Sequence, residues 1–122
     1  MPVIDIKISI SNNETTENYE TKAIIQNNII KYKEKDNTIV KYNLEENILN
    51  RENTKLRLNY IFKLKNNTIG KIFSKELNKE VSINIFTNKI QRKYNNIIIE
   101  YEIDNINFIY RIEEIKWVYI KN

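Results

Sequence analysis

The sequence predicts an all-β protein: a single antiparallel, up-and-down β-barrel over residues 1–122, with roughly eight to ten strands and little helix. Three observations predict it. Apolar residues alternate with polar ones through most of the chain, the period of half-buried strands. The stretches between these runs carry pairs of asparagine or aspartate, which tolerate the left-handed backbone of tight turns. Apolar residues make up 41% of the 122 and are spread over the whole length, with one glycine and one proline in all. That is enough for one core, and it leaves no linker, repeat or disordered segment.

Taken in order, Ile4, Ile6, Ile8 and Ile10 alternate with Asp5, Lys7 and Ser9 in a first strand. Further runs are Val40-Tyr42-Leu44, Leu56-Leu58-Tyr60-Phe62-Leu64, Val81-Ile83-Ile85, Ile97-Ile99-Tyr101-Ile103 and Ile106-Phe108-Tyr110-Ile112. Two short segments, Glu45 to Leu49 and Ile72 to Leu77, have the best local claim to helix. The turn pairs are Asn12-Asn13, Asn27-Asn28, Asp36-Asn37, Asn66-Asn67, Asn95-Asn96 and Asp104-Asn105. Each can be tested by register, because a slip of one residue turns a whole strand inside out. Two-residue turns at Asn27-Asn28 and Asp104-Asn105 set apolar against apolar: Ala23 faces Tyr32 and Ile25 faces Ile30, while Tyr101 faces Phe108 and Ile99 faces Tyr110. A two-residue turn at Asn95-Asn96 pairs Tyr94 with Ile97, Arg92 with Ile99 and Ile90 with Tyr101, so residues 89 to 113 read as a three-stranded meander. The same turn at Asp36-Asn37 would set Tyr32 against Lys41. That connection is therefore predicted to be odd in length, three or five residues.

Several stretches resemble the YwiB-like family of small bacterial proteins: the opening strand Val3 to Ile10, Tyr42-Asn43-Leu44-Glu45-Glu46, and Thr54-Lys55-Leu56-Arg57-Leu58. The resemblance continues through Ile83-Asn84-Ile85-Phe86-Thr87 with Ile90, Ile99-Glu100-Tyr101 and Phe108-Ile109-Tyr110-Arg111-Ile112. The chain departs from that family at Lys65-Asn66-Asn67, where an arginine-glycine pair is expected, and near residue 80, where a threonine- and glycine-containing hairpin is absent. The resemblance implies a lipocalin-like, calycin-type barrel with an interior cavity, and it implies no activity.

The residue inventory argues against an enzyme. With no histidine and no cysteine, the commonest general base, the commonest metal ligand and every thiol chemistry are missing. No phosphate-binding loop can be built around Gly70 alone. The acid pairs Glu45-Glu46, Glu100/Glu102 and Glu113-Glu114 read as solvated, with Glu100 and Glu102 on an outward phase opposite Gln91 and Lys89. No cofactor and no metal are predicted. The net charge of +4 rests largely on lysine, which, like isoleucine and asparagine, has A/T-rich codons, so base composition accounts for much of it. Lys31, Lys33 and Lys35 share one solvated face. In Lys89 to Tyr94, alternation sends Arg92 and Tyr94 to the face opposite Lys89, Gln91 and Lys93, so no platform for nucleic acid forms. Charges at Asp5 and Lys7 exclude a signal peptide there, and no uncharged apolar run approaches the ~18 residues of a membrane-spanning helix. A cytoplasmic protein without a membrane partner is expected, with nucleic-acid binding ranked third among the readings.

Function is predicted to be non-enzymatic binding of a small-molecule or anionic ligand inside the barrel. The alternative is a structural or protein-interaction module, a homodimer included, that uses an outer sheet face or edge. The tyrosines motivate the first reading. Tyr42, Tyr60, Tyr101 and Tyr110 fall on inward phases, and a buried hydroxyl needs a partner. Either water or ligand shares the interior, or the hydroxyls satisfy one another and reach the barrel mouths. Arg92 is the sharpest candidate. It too lies on the inward phase, where its charge cannot be shed, and Glu34 is the only acid of suitable phase. Arg92 must therefore meet a carboxylate, escape at a mouth or await an anion, with Tyr94, Tyr101 and Tyr110 as its polar wall. Trp117 is expected to plug one end.

Overall fold

The computed structural model describes residues 3–115. Ten strands follow one another: β1 (Val3–Ser11), β2 (Thr16–Gln26), β3 (Ile29–Lys33), β4 (Ile39–Asn43), β5 (Ile48–Glu52), β6 (Leu56–Ile61), β7 (Asn67–Ser74), β8 (Lys79–Lys93), β9 (Asn96–Ile103) and β10 (Ile106–Glu114). Each pairs antiparallel with the next, and β1 pairs with β10, so the meander closes into a barrel. Closure gives every described strand two neighbours, although stretches of two strands pair on one side only: Thr16 to Lys22 of β2 meets β1 alone, and Lys79 to Ile85 of β8 meets β7 alone.

The predicted hairpins recur with their registers. Asn27 and Asn28 both take positive φ (53° and 64°), as do Asp104 and Asn105 (51° and 66°). Ala23 faces Tyr32 and Ile25 faces Ile30, while Tyr101 faces Phe108 and Ile99 faces Tyr110. The Asp36-Asn37 connection is odd: Lys33 faces Ile39 across five residues, with Asn37 at φ 69°.

Three expectations are corrected. Neither helix candidate is a helix. Leu44 to Asn47 is a turn that leads into β5, and Ile72 to Ser74 end β7 before the turn Lys75 to Asn78. The local helical signal is real but lasts a single turn. The Asn43 side chain accepts from the Glu45 and Glu46 amides at 2.9 Å, as a helix cap would, and the Asn47 amide returns to the Asn43 carbonyl at 2.8 Å. Positive φ at Asn47 and Asn78 (56° and 51°) then turns the chain back into a strand. The turn placed at Asn95-Asn96 falls at Tyr94-Asn95, so Arg92 faces Ile97 and Ile90 faces Ile99. This moves the pairing by two residues and therefore keeps every side chain on its expected face. Finally, Val81-Ile83-Ile85 and Ile90-Arg92 belong to one strand. An irregularity between Thr87 and Lys89 switches β8 from an odd to an even inward phase.

The core fills the barrel. Ile6, Ile8, Val40, Tyr42, Ile85 and Ile99 are fully enclosed, and Tyr110 nearly so. Gly70 sits where Tyr60, Ile83 and Ile85 converge.

Candidate functional site

The meander puts alternate connections at alternate ends. One end holds Asn27-Asn28, Leu44 to Asn47 and Tyr94-Asn95; the other holds the Glu34 to Thr38 connection and the start of β2.

The predicted site residues separate along this axis. Tyr42 is enclosed in β4 and donates its hydroxyl to Asn47 Oδ1 at 2.6 Å. Tyr110 in β10 shares a 2.6 Å hydrogen bond with the hydroxyl of Tyr32. Tyr101 in β9 stacks on Phe108 (5.3 Å between centroids, 13° between planes) and lies 4.9 Å from Phe62. Half-buried Tyr60 in β6 meets Phe62 and Tyr101 edge-on. Arg92, at the end of β8, is exposed, and its Nη1 donates to the Leu44 carbonyl at 2.5 Å. Tyr94 lies in the next turn, 90% exposed. The interior thus brings Tyr60 and Tyr101 together, with Tyr42 packed 6.3 Å from Tyr110. Arg92 and Tyr94 stand apart from them on the rim. Trp117 lies outside the described residues.

Sequence reasoning missed the opposite end. Glu34 does not meet Arg92. It accepts from Arg51 Nη2 at 2.5 Å and from the Tyr19 hydroxyl at 2.9 Å, and Tyr19 packs 6.5 Å from Tyr32. The phase of β5 carried the signal: Leu49 and Arg51 share a face, and Leu49 lies between Tyr42 and Tyr60. Burial opposes the Arg51 charge, yet Glu34 holds its pKa above the ordinary value. On the outer wall Lys89 and Glu100 come within 3.7 Å, and Glu102 accepts from Asn88 at 2.8 Å. Among the described residues no cluster of carboxylates gathers that could hold a metal ion.

Burial raises the pKa of the interior phenols, Tyr32 to about 12 and Tyr19, Tyr42, Tyr101 and Tyr110 also upward. Above the unfolded value near 10 the folded chain therefore binds more protons than the unfolded one. Stability from these groups is complete below pH ~10 and is lost as pH climbs through the folded values. An alkaline titration should show the phenolate absorbance of these interior tyrosines appearing in one cooperative step together with loss of near-ultraviolet circular dichroism. Gradual ionisation near pH ~10 with the fold intact would mean that the phenols are open to water.

The hollow at the Glu34 end, about 350 Å³, is lined by Glu17, Tyr19, Glu34 and Arg51, whereas the one beside Arg92 is apolar. This second hollow, of about 240 Å³, opens over a floor that includes Ile4, Ile25, Ile30 and Ile97. Arg92, Lys93 and Tyr94 stand on its rim, with Glu114 on the same wall. Among the described residues Arg92 makes no ion pair.

Fold and site together define a closed ten-stranded barrel with a tyrosine-rich core and one apolar, cation-rimmed mouth. No family model matches the chain, and no curated protein matches it. Among solved structures it is similar to the ywiB protein of Bacillus subtilis, with a TM-score of 0.56 and 18% identity over 93% of this chain and 91% of that one. That likeness is one of fold.

Proposed function

We propose that this is a cytoplasmic, YwiB-like barrel of calycin type that binds a small amphipathic anion, without catalysis, at the mouth beside Arg92. One observation carries the reading: a guanidinium with no carboxylate partner among the described residues stands over a floor of isoleucines. A guanidinium has more donors than its bond to Leu44 uses, and its planar fork suits a carboxylate or phosphate. The floor would take a short aliphatic chain. At about 240 Å³ the hollow is smaller than the ~300–1,000 Å³ typical of drug-sized ligands, so the ligand is a small one. Tyr42, Tyr60, Tyr101 and Tyr110 take part by packing the barrel beneath it.

A thermal-shift panel of short-chain carboxylates and alkyl phosphates tests this. At a hundredfold excess over Kd, stabilisation on the order of 10 °C is expected. Arg92→Met should abolish it while changing the unliganded protein by no more than about 0.5 kcal/mol, because Arg92 is exposed. A ligand that stabilises the methionine variant equally, or a panel without any shift, sinks the reading.

A further inference from the structure

The outer wall of β2–β4 carries a row of side chains that the barrel does not use. Val3 faces Ile24, Ile24 faces Lys31, and Lys31 faces Lys41. Two lysines directly opposed across a strand pair repel each other. Lys33 and Ile39 form the neighbouring pair. Lys22 meets Asp5 at 2.8 Å, whereas Lys31, Lys33 and Lys41 make no ion pair among the described residues. Glu52, which faces Ile39, is engaged by Lys75 at 2.8 Å and Arg57 at 3.6 Å. Aliphatic groups surface between these cations: Val3 is 58% and Ile39 37% exposed. Three hollows, of about 840, 310 and 200 Å³, adjoin there, and Lys31 lines all three.

We infer that this face docks an acidic segment of a partner protein, one that carries aliphatic side chains between its carboxylates. Charge complementarity sets the sign, since unpaired lysines attract carboxylates and discriminate against basic chains. The exposed valine and isoleucine set the second requirement, because they offer apolar contact between the charges. Strand addition is closed off at Lys31 and Lys41, as β3 and β4 are paired there on both sides; recognition runs through side chains. A nucleic-acid strand fits less well. Tyr32 is buried beneath the patch, and Phe73 lies beyond it with Arg57 over its ring at 5.2 Å, so no bare aromatic platform awaits a base. A bilayer is flat, while these hollows would receive side chains one at a time.

The test uses a short synthetic peptide alternating aspartate and leucine, with a lysine-leucine peptide, a single-stranded oligonucleotide and phosphatidylserine vesicles as comparisons. In amide NMR spectra the acidic peptide should shift signals within β2–β4, less so as salt rises. Lys41→Glu should weaken it about tenfold or more. Because that change sets a carboxylate opposite Lys31, the melting temperature should hold or rise, which separates lost binding from lost folding. The inference is overturned by absent shifts, by shifts elsewhere, by unchanged affinity in Lys41→Glu, or by tighter binding of the oligonucleotide, the vesicles or the basic peptide.

Discussion

Gly70→Val is expected to destabilise the protein by about 3 kcal/mol, the upper part of the range for overpacking a filled interior. A Cβ at Gly70 would lie 2.7 Å from Ile85 Cδ1, 3.0 Å from Tyr60 Cδ1 and 3.1 Å from Ile83 Cγ1. Ile85 is fully enclosed, so its methyl end has little room to retreat, and valine adds two further methyl groups to the same spot. Valine also favours strands, so propensity and packing pull in opposite directions; at about 1 kcal/mol for the whole scale, propensity loses. Gly70→Ala should cost less, near 1 kcal/mol, because the tightest contact is the far end of a side chain. Thermal and urea unfolding of both variants measures this. A valine variant as stable as the parent would show that the barrel is loosely filled at its lone glycine.

A loss of about 3–5 kcal/mol is expected for Tyr110→Ala, the usual range for removing an enclosed aromatic ring. Tyr110 is 2% exposed and packs against Tyr42. Its hydroxyl poses a separate question. Tyr110→Phe keeps the ring but removes the 2.6 Å partner of the Tyr32 hydroxyl, which is only 3% exposed and keeps Tyr19 as its other partner, and should cost about 1 kcal/mol for the lost buried hydrogen bond. Removing both hydroxyls should cost less than the sum of the single variants, since the shared bond is lost only once. If Tyr32→Phe with Tyr110→Phe costs the plain sum of the single variants, the 2.6 Å bond is not a coupled pair.

Much of this architecture was legible in the order of residues. Period two is a local signal, so Tyr42, Tyr60, Tyr101, Tyr110 and Arg92 could be assigned to the inward phase before any fold was known. Asn27-Asn28 and Asp104-Asn105 announced their turns because few residues other than glycine accept positive φ. The clash of Tyr32 with Lys41 was enough to demand an odd connection at Asp36-Asn37. Charge narrowed Arg92 to a distant carboxylate, a barrel mouth or an anion, since no acid of the β9–β10 meander shares its phase.

Tertiary structure decided what local pattern leaves degenerate. A turn at Asn95-Asn96 and one at Tyr94-Asn95 put the same side chains on the same faces, so alternation could not choose between them. One turn of helical backbone suits both a helix start and the Leu44–Asn47 hairpin; strand pairing on either side selected the hairpin. The partnership of Glu34 with Arg51 and Tyr19 joins a loop to two strands that are not neighbours in the sheet. Likewise, closure of β1 on β10 joins the two ends of the sequence. Sequence periodicity reports which face a side chain takes, because that is set by its immediate neighbours. Which side chains meet across the barrel depends on how all ten strands curve and close, a property no single strand contains.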